Sequence, residues 1–108
     1  MPRPRKRRLL TRAPQAAIYK PAGVPLEGLR LIQLFQEELE ALRLADLEGL
    51  TQEAAAEHMG VSRSTFQRTL AQAHRQVALA LAEGQALQIE GGTFEVTAPP
   101  HPRRPHRR

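Results

Sequence analysis

The stretch TQEAAAEHMGVSRSTFQRTLAQAHRQV, residues 51–77, decides the fold of this chain. It predicts two short helices joined by a tight turn at Gly60, because glycine reaches a positive φ without steric penalty. Ser62 is a good N-cap residue, so the second helix is predicted to begin at Arg63. The consecutive alanines 54–56 supply small side chains that let the two helices approach closely.

The second helix is predicted to be amphipathic. Its apolar residues recur at spacings of three and four and form one stripe: Phe66, Leu70, Ala73, Val77, Ala80 and Leu81. At about 100° per residue, the opposite side carries a second set within about 60° of one another: Ser64, Arg68, Ala71 and Arg75. This layout is typical of a helix-turn-helix whose second helix enters the DNA major groove. The alternative is a plain helical hairpin with a solvated arginine face, and Thr69 weakens the motif because an aliphatic residue is usual there.

The composition favours one helical domain. A chain of 108 residues has a core of limited size, and with only four aromatic residues that core must consist mainly of leucine and alanine. The absence of cysteine excludes disulfides and thiolate metal sites. No apolar run approaches membrane-spanning length and no signal-peptide core follows the basic start, so we expect a soluble, cytoplasmic protein.

The net charge of +5 conceals a sharp partition along the chain. Residues 1–12 and 97–108 carry ten basic residues and no acid, whereas residues 13–96 have a net charge of −5. Inside that region, residues 36–57 hold seven acids and one arginine, and residues 61–82 hold three arginines and no acid. An acidic body with one basic helix and two basic tails predicts a polyanion partner held in one orientation. The alternative is that the tails only keep the protein soluble.

Both ends are predicted to be disordered, because they are rich in proline and arginine. Residues 1–14 form a basic arm of the kind that lies in a DNA minor groove beside a helix-turn-helix. Residues 97–108 form a second basic tail, which leaves residues 15–96 as the folded domain. The candidate phosphate-binding residues of the arm are Arg3, Arg5, Lys6, Arg7 and Arg8.

A further helix is predicted from Gln36 to Leu47, with Gly49 as the residue that ends it. Its leucines are expected to pack against the long helix, and its acids lie in the first turn, where the helix dipole favours them. The leucines are Leu39 and Leu42, their expected partners are Phe66 and Leu70, and the acids are Glu37, Glu38 and Glu40. Residues 15–35 are harder to interpret, with an extended piece at Tyr19 entering turns.

The sequence ALQIEGGTFEV, residues 86–96, predicts a β-hairpin, because Gly91-Gly92 separates two runs of alternating apolar and polar residues. The apolar face would carry Leu87, Ile89, Phe94 and Val96. An isolated hairpin is marginal in water, so this face needs a cover. The body of the domain, the extended Tyr19 region and a second subunit all remain open, and a homodimer is therefore one expected state.

No pattern indicates catalysis. The histidines His58, His74, His101 and His106 lack metal-ligand spacing with any acid, the chain has no glycine-rich phosphate loop, and no serine has an evident base partner. We therefore expect no enzymatic activity, no metal and no cofactor.

Two resemblances extend these expectations. Residues 47–77, the run LEGLTQEAAAEHMGVSRSTFQRTLAQAHRQV, resemble region four of bacterial sigma factors, which reads the upstream promoter hexamer. The segments YKPAG, EELEALRLAD, GVSRSTFQR and ALQIEGG resemble a family of short, uncharacterised prokaryotic proteins described as predicted DNA-binding proteins with a region-four-like fold. That second resemblance runs from Pro2 to about Gly92, and the tail after Val96 has no counterpart. Similarity to region four implies base-reading positions at Arg63, Ser64, Gln67 and Arg68.

The sequence thus predicts a mainly α, three-helix helix-turn-helix domain, sigma region-four-like, with a short C-terminal β-hairpin and disordered basic tails. The predicted function is sequence-specific binding of double-stranded DNA, as a transcription regulator associated with the nucleoid. Two alternatives remain open. One is an interaction module that binds RNA polymerase through the acidic helix around residues 37–48, and the other is RNA binding.

Overall fold

The structure, a computed structural model, describes residues 8–10, 17–90 and 94–96. In this part of the chain, three helices and a short three-stranded sheet form the body of the protein. The elements in order are β1 (Arg8–Leu10), β2 (Ala17–Tyr19), a 3₁₀ turn (Leu26–Gly28), β3 (Leu31–Leu34), α1 (Gln36–Leu42), a π-helical segment (Arg43–Leu47), α2 (Gln52–Met59), α3 (Arg63–Ala82), β4 (Ala86–Ile89) and β5 (Phe94–Val96). None of the helices in these ranges is long and apolar enough to cross a membrane.

The turn between α2 and α3 forms as the sequence predicts. Gly60 has φ 68°, and the Val61 N–H donates to the carbonyl of Ala56 at 3.0 Å, which closes the last turn of α2 in a Schellman pattern. Ser62 is the N-cap of α3, and its hydroxyl accepts from the Thr65 N–H at 3.1 Å. The predicted start of the second helix at Arg63 is confirmed.

The predicted C-terminal β-hairpin is wrong. β4 lies in the centre of a sheet with the order β2-β4-β3, antiparallel to β2 and parallel to β3, whereas β5 runs parallel to β1. The extended region at Tyr19 therefore pairs with the first half of the predicted hairpin, and Tyr19 lies opposite Leu87. A Gly-Gly pair is a local turn signal, and here it is outweighed by non-local pairing of β4 on both of its edges.

The structure shows which of the open alternatives covers the described half of the predicted hairpin face. Ile89 is buried with Leu34 and Ala73, and Leu87 packs against this cluster. The described half of the predicted face is therefore covered by α3 and β3 of the same chain, as the register Leu34 to Ile89 requires. Ile89 is therefore buried within its own chain, and Leu87 is half-buried there.

A second core cluster joins the helices, and Phe66 of α3 is its largest fully buried side chain. The members of this cluster are Ala41, Leu44, Ala55, Ala56, Met59, Phe66 and Leu70. Leu42 packs against it as predicted. Leu39 instead packs against the cluster of Leu34, Ala73 and Ile89 beside the sheet. The predicted apolar stripe of α3 includes Leu81, but this side chain is 77% exposed. It lies in the last turn of the helix, past the region that α1 and the sheet cover.

Two further predictions need correction. The sequence predicts disorder for residues 1–14, but Arg8–Leu10 is a strand, because its backbone finds a parallel partner in Phe94–Val96. The rest of both predicted tails lies outside the described residues. The predicted helix from Gln36 to Leu47 is α-helical only to Leu42 and then widens into the π-helical segment, where the Glu48 N–H donates to the carbonyl of Arg43 at 2.8 Å.

Candidate nucleic-acid interface

The exposed face of α3 carries the candidate base-reading residues. Its four members predicted from the helical period, Ser64, Arg68, Ala71 and Arg75, are all exposed, and Phe66 on the opposite side is fully buried. Arg63 and Gln67 are exposed at one edge of this face, in the first turns of the helix. The structure therefore brings together every candidate residue that the sequence places on α3.

The arginines of this face are not committed to other groups in the described part of the chain. Arg63 and Arg75 have no hydrogen bond or ion pair to any described residue, and Arg68 makes one long contact from Nη2 to Thr65 Oγ1, at 3.5 Å. α3 itself carries no acid in its 20 residues. An exposed row of guanidinium groups on a rigid helix can donate to phosphate or to a guanine edge.

Two side-chain bridges hold one edge of α3 against the preceding elements. Gln67 Nε2 donates to Gln52 Oε1, on the first residue of α2, at 2.6 Å. Two turns further along, His74 Nε2 lies 2.8 Å from Asp46 Oδ2 on the π-helical segment. Neither pair could be found from the sequence, because residues 15 and 28 positions apart meet only once the helices have packed. Both bridges link one edge of α3 to its neighbours, while the buried cluster around Phe66 sets the orientation of the helix.

The acidic residues of α1 do not form the open surface that the RNA polymerase alternative needs. Glu37, Glu38 and Glu40 are only 3%, 6% and 5% exposed. Glu38 caps its own helix by accepting from the Phe35 N–H at 3.0 Å. Exposed carboxylates remain on Asp46 and Glu48, beyond the end of α1. Three of the five acids of residues 37–48 thus do not face solvent, and charged side chains are rarely buried in this way unless they are paired.

Arg43 holds the junction between α1 and the π-helical segment. Its guanidinium makes a bidentate contact with Glu40, with Nε at 3.0 Å and Nη2 at 2.9 Å, and Nη1 reaches Glu48 Oε2 at 3.1 Å. The hydrogen bonds to the Glu40 carboxylate raise the pKa of Arg43, so this side chain stays charged. Arg43 is the one arginine among the acids of residues 36–57, and it is used for the fold and not for a ligand.

Of the five predicted phosphate-binding residues of the arm, the structure describes one. Arg3, Arg5, Lys6 and Arg7 lie outside the described residues, and Arg8 is the first residue of β1, which runs beside α1 and α2.

No group of three or more His, Cys, Asp or Glu side chains in residues 17–90 is arranged to hold a metal ion.

The described chain is thus a small, mainly helical protein with a three-stranded sheet and one basic, exposed helix face. Comparison with known proteins places it in a family. Residues 1–97 match the family described as "Protein of unknown function DUF134". The chain belongs to this family.

Curated relatives agree with this assignment. A UPF0251 protein of Dehalococcoides mccartyi is 56% identical over 100 residues, which cover 93% of this chain and 86% of the relative. UPF0251 proteins of Desulforudis audaxviator and Caldanaerobacter subterraneus are 54% and 48% identical, covering 91% and 89% of this chain and 64% and 81% of the relatives. No solved structure matches the chain. These names state a family and no activity.

Proposed function

We propose that this protein binds duplex DNA in a sequence-specific manner, with α2 and α3 as a sigma region-four-like helix-turn-helix and with transcription regulation as its role. The observation that carries the proposal is the exposed face of α3. It combines three exposed arginines, two of them without a partner among the described residues and Arg68 with one long contact, with short polar side chains and no acid, on a helix anchored by buried Phe66. The major groove of B-DNA admits a helix presented in this way.

The charge distribution supports a fixed orientation on the DNA. The acids of α1 are buried. The exposed acids of residues 36–57 lie outside α3, on the π-helical segment, just after it and on α2 (Asp46, Glu48, Glu53 and Glu57), and Asp46 contacts His74 at one edge of α3. A duplex that approaches the arginine face of α3 would meet no carboxylate on that helix. In this proposal the basic residues within 1–7 contact phosphates next to the groove, with Arg3 and Arg5 as the first candidates.

The rival hypotheses rest on fewer observations. The RNA polymerase hypothesis depends on an acidic surface along residues 37–48. Only two of its five acids, Asp46 and Glu48, are exposed. RNA binding depends on the arginine-rich ends, which lie mostly outside the described residues. The deep, narrow major groove of an RNA duplex does not admit a helix such as α3. A homodimer on two half-sites and association with the nucleoid are compatible with the proposal and form part of it.

The experiment compares two arginine variants in the intact protein. A preferred duplex is first selected from a random library, and dissociation constants are then measured by fluorescence anisotropy on that duplex and on a scrambled one. Arg68→Ala should lose about 1–3 kcal/mol of binding free energy on the preferred duplex, with weaker selection at one position. Arg30→Ala is the matched control, because Arg30 is an exposed arginine outside α3.

Several results would count against the proposal. Equal losses of binding free energy for Arg68→Ala and Arg30→Ala would mean that any exposed arginine contributes equally to DNA binding. An equal loss for Arg68→Ala on both duplexes would make Arg68 a phosphate contact without a role in reading sequence. Preference for duplex RNA over duplex DNA of the same sequence would support the RNA-binding alternative instead.

A further inference from the structure

The hydrogen bond between Gln67 and Gln52 fixes the direction in which the Gln67 amide points. Gln67 is exposed on the second turn of α3, and its Nε2 donates to Oε1 of the half-buried Gln52 at 2.6 Å. A free glutamine side chain at the surface has many rotamers, and ordering it on a ligand costs conformational entropy. In this protein that side chain is already held in place before any ligand arrives.

The remaining hydrogen-bonding groups of Gln67 define what it can recognise. A glutamine amide has two N–H donors and a carbonyl acceptor, and the bridge to Gln52 uses one N–H. The other N–H and the carbonyl Oε1 remain available to a ligand. In the major groove, adenine presents an N6 donor next to an N7 acceptor, which is the complement of that pair. Guanine presents two acceptors there, so the Gln67 carbonyl would face the guanine O6 without a hydrogen bond.

We propose that Gln67 selects an adenine in the major groove and that Gln52 is the positioning residue that orients it. This inference rests on the proposed DNA binding by α3. Because Gln67 lies one position before Arg68 on the same helix, the adenine should neighbour the base or phosphate that Arg68 contacts. Gln52 acts only through Gln67 and is not assigned a base contact.

A purely structural role for the bridge makes a different prediction. If the contact only ties α3 to α2, then removing either glutamine changes stability and leaves base preference unaltered. The structure offers a control for general effects on α3. Gln72 is an exposed glutamine on the same helix, about 140° around its axis from Gln67, and it has no hydrogen bond to another described residue through its side chain.

The test repeats the selection from random duplex DNA with four forms of the intact protein: the wild type, Gln67→Ala, Gln52→Ala and Gln72→Ala. The wild type should enrich a motif with one adenine that becomes degenerate in Gln67→Ala and partly degenerate in Gln52→Ala, while Gln72→Ala keeps it. On the wild-type motif, Gln67→Ala should bind about 5- to 150-fold more weakly. Replacing that adenine by 7-deazaadenine, which lacks the N7 acceptor, should weaken the wild type and leave Gln67→Ala unaffected.

A change of specificity provides a second readout that loss of folding cannot imitate. Gln67→Glu removes both donors, and a carboxylate accepts from the cytosine N4 amino group, so the preferred base should change from adenine to cytosine. Unchanged adenine preference in Gln67→Ala or Gln67→Glu overturns this inference and leaves the proposed function standing. If the wild type enriches no motif at all, the proposed function fails and this inference fails with it.

Discussion

Replacing Arg43 by methionine should strongly destabilise this protein. Among the described residues the guanidinium makes three hydrogen bonds to the carboxylates of Glu40 and Glu48, and its side chain is only 14% exposed. Glu40, which receives two of those bonds, is 5% exposed, so its carboxylate would lose the bidentate partner in a poorly solvated place. Removing one partner of a buried pair costs about 3–5 kcal/mol. Methionine keeps much of the apolar stem, so the loss reports mainly on the charge.

Glu48, the other carboxylate that Arg43 contacts, provides a matched comparison. Glu48 is half-exposed, and exposed ion pairs contribute about 0.2–1 kcal/mol, so Glu48→Gln should cost less than about 1 kcal/mol. In a Glu40→Gln background, Arg43→Met should cost less than it does alone, because the charge-assisted contact between Arg43 and Glu40 is then already absent. Urea unfolding followed by far-UV circular dichroism measures all these free energies. A cost below about 1 kcal/mol for Arg43→Met, or equal costs for Arg43→Met and Glu48→Gln, would refute this reasoning.

Two further predictions concern the turn and the arm. Gly60→Ala should lower the free energy of unfolding by about 1–2 kcal/mol, because φ is 68° there. Gly28→Ala, where φ is not positive and an added Cβ meets nothing within 4 Å, should stay within about 0.5 kcal/mol in the same unfolding assay. Replacing Arg3, Arg5 and Lys6 by glutamine should reduce the slope of log K against log salt by up to about 3 units and preserve sequence preference, measured by anisotropy at several salt concentrations. An unchanged slope would mean that these residues do not contact phosphate.

The helices could be predicted from the sequence because their signals are local. Ser62, Gly60 and the spacing of Phe66 and Leu70 lie within a few residues of the elements they define, and the structure confirms those elements. The sheet could not be predicted in this way. β4 pairs with strands more than 50 residues earlier in the chain, and no local pattern states which of several short extended runs will become its neighbour.

The candidate site likewise contains some features that local sequence patterns predict and others that they do not. Helical period is sufficient to place Ser64, Arg68 and Arg75 on one exposed face of α3. The contact between Gln67 and Gln52 depends on the angle at which α2 and α3 cross, and the contact between His74 and Asp46 depends in the same way on how α3 packs against the π-helical segment. Such features follow from tertiary packing and have no signature in the spacing of residues.

We propose that the exposed face of α3 contacts duplex DNA. An NMR titration of the intact, ¹⁵N-labelled protein with the selected duplex tests this claim most directly. We predict that the largest amide shift changes fall within residues 63–75 and at Gln52, and that β2, β3 and β4 change little. The claim would be contradicted if the largest changes fell on the sheet or on residues 46–48 while α3 stayed unchanged.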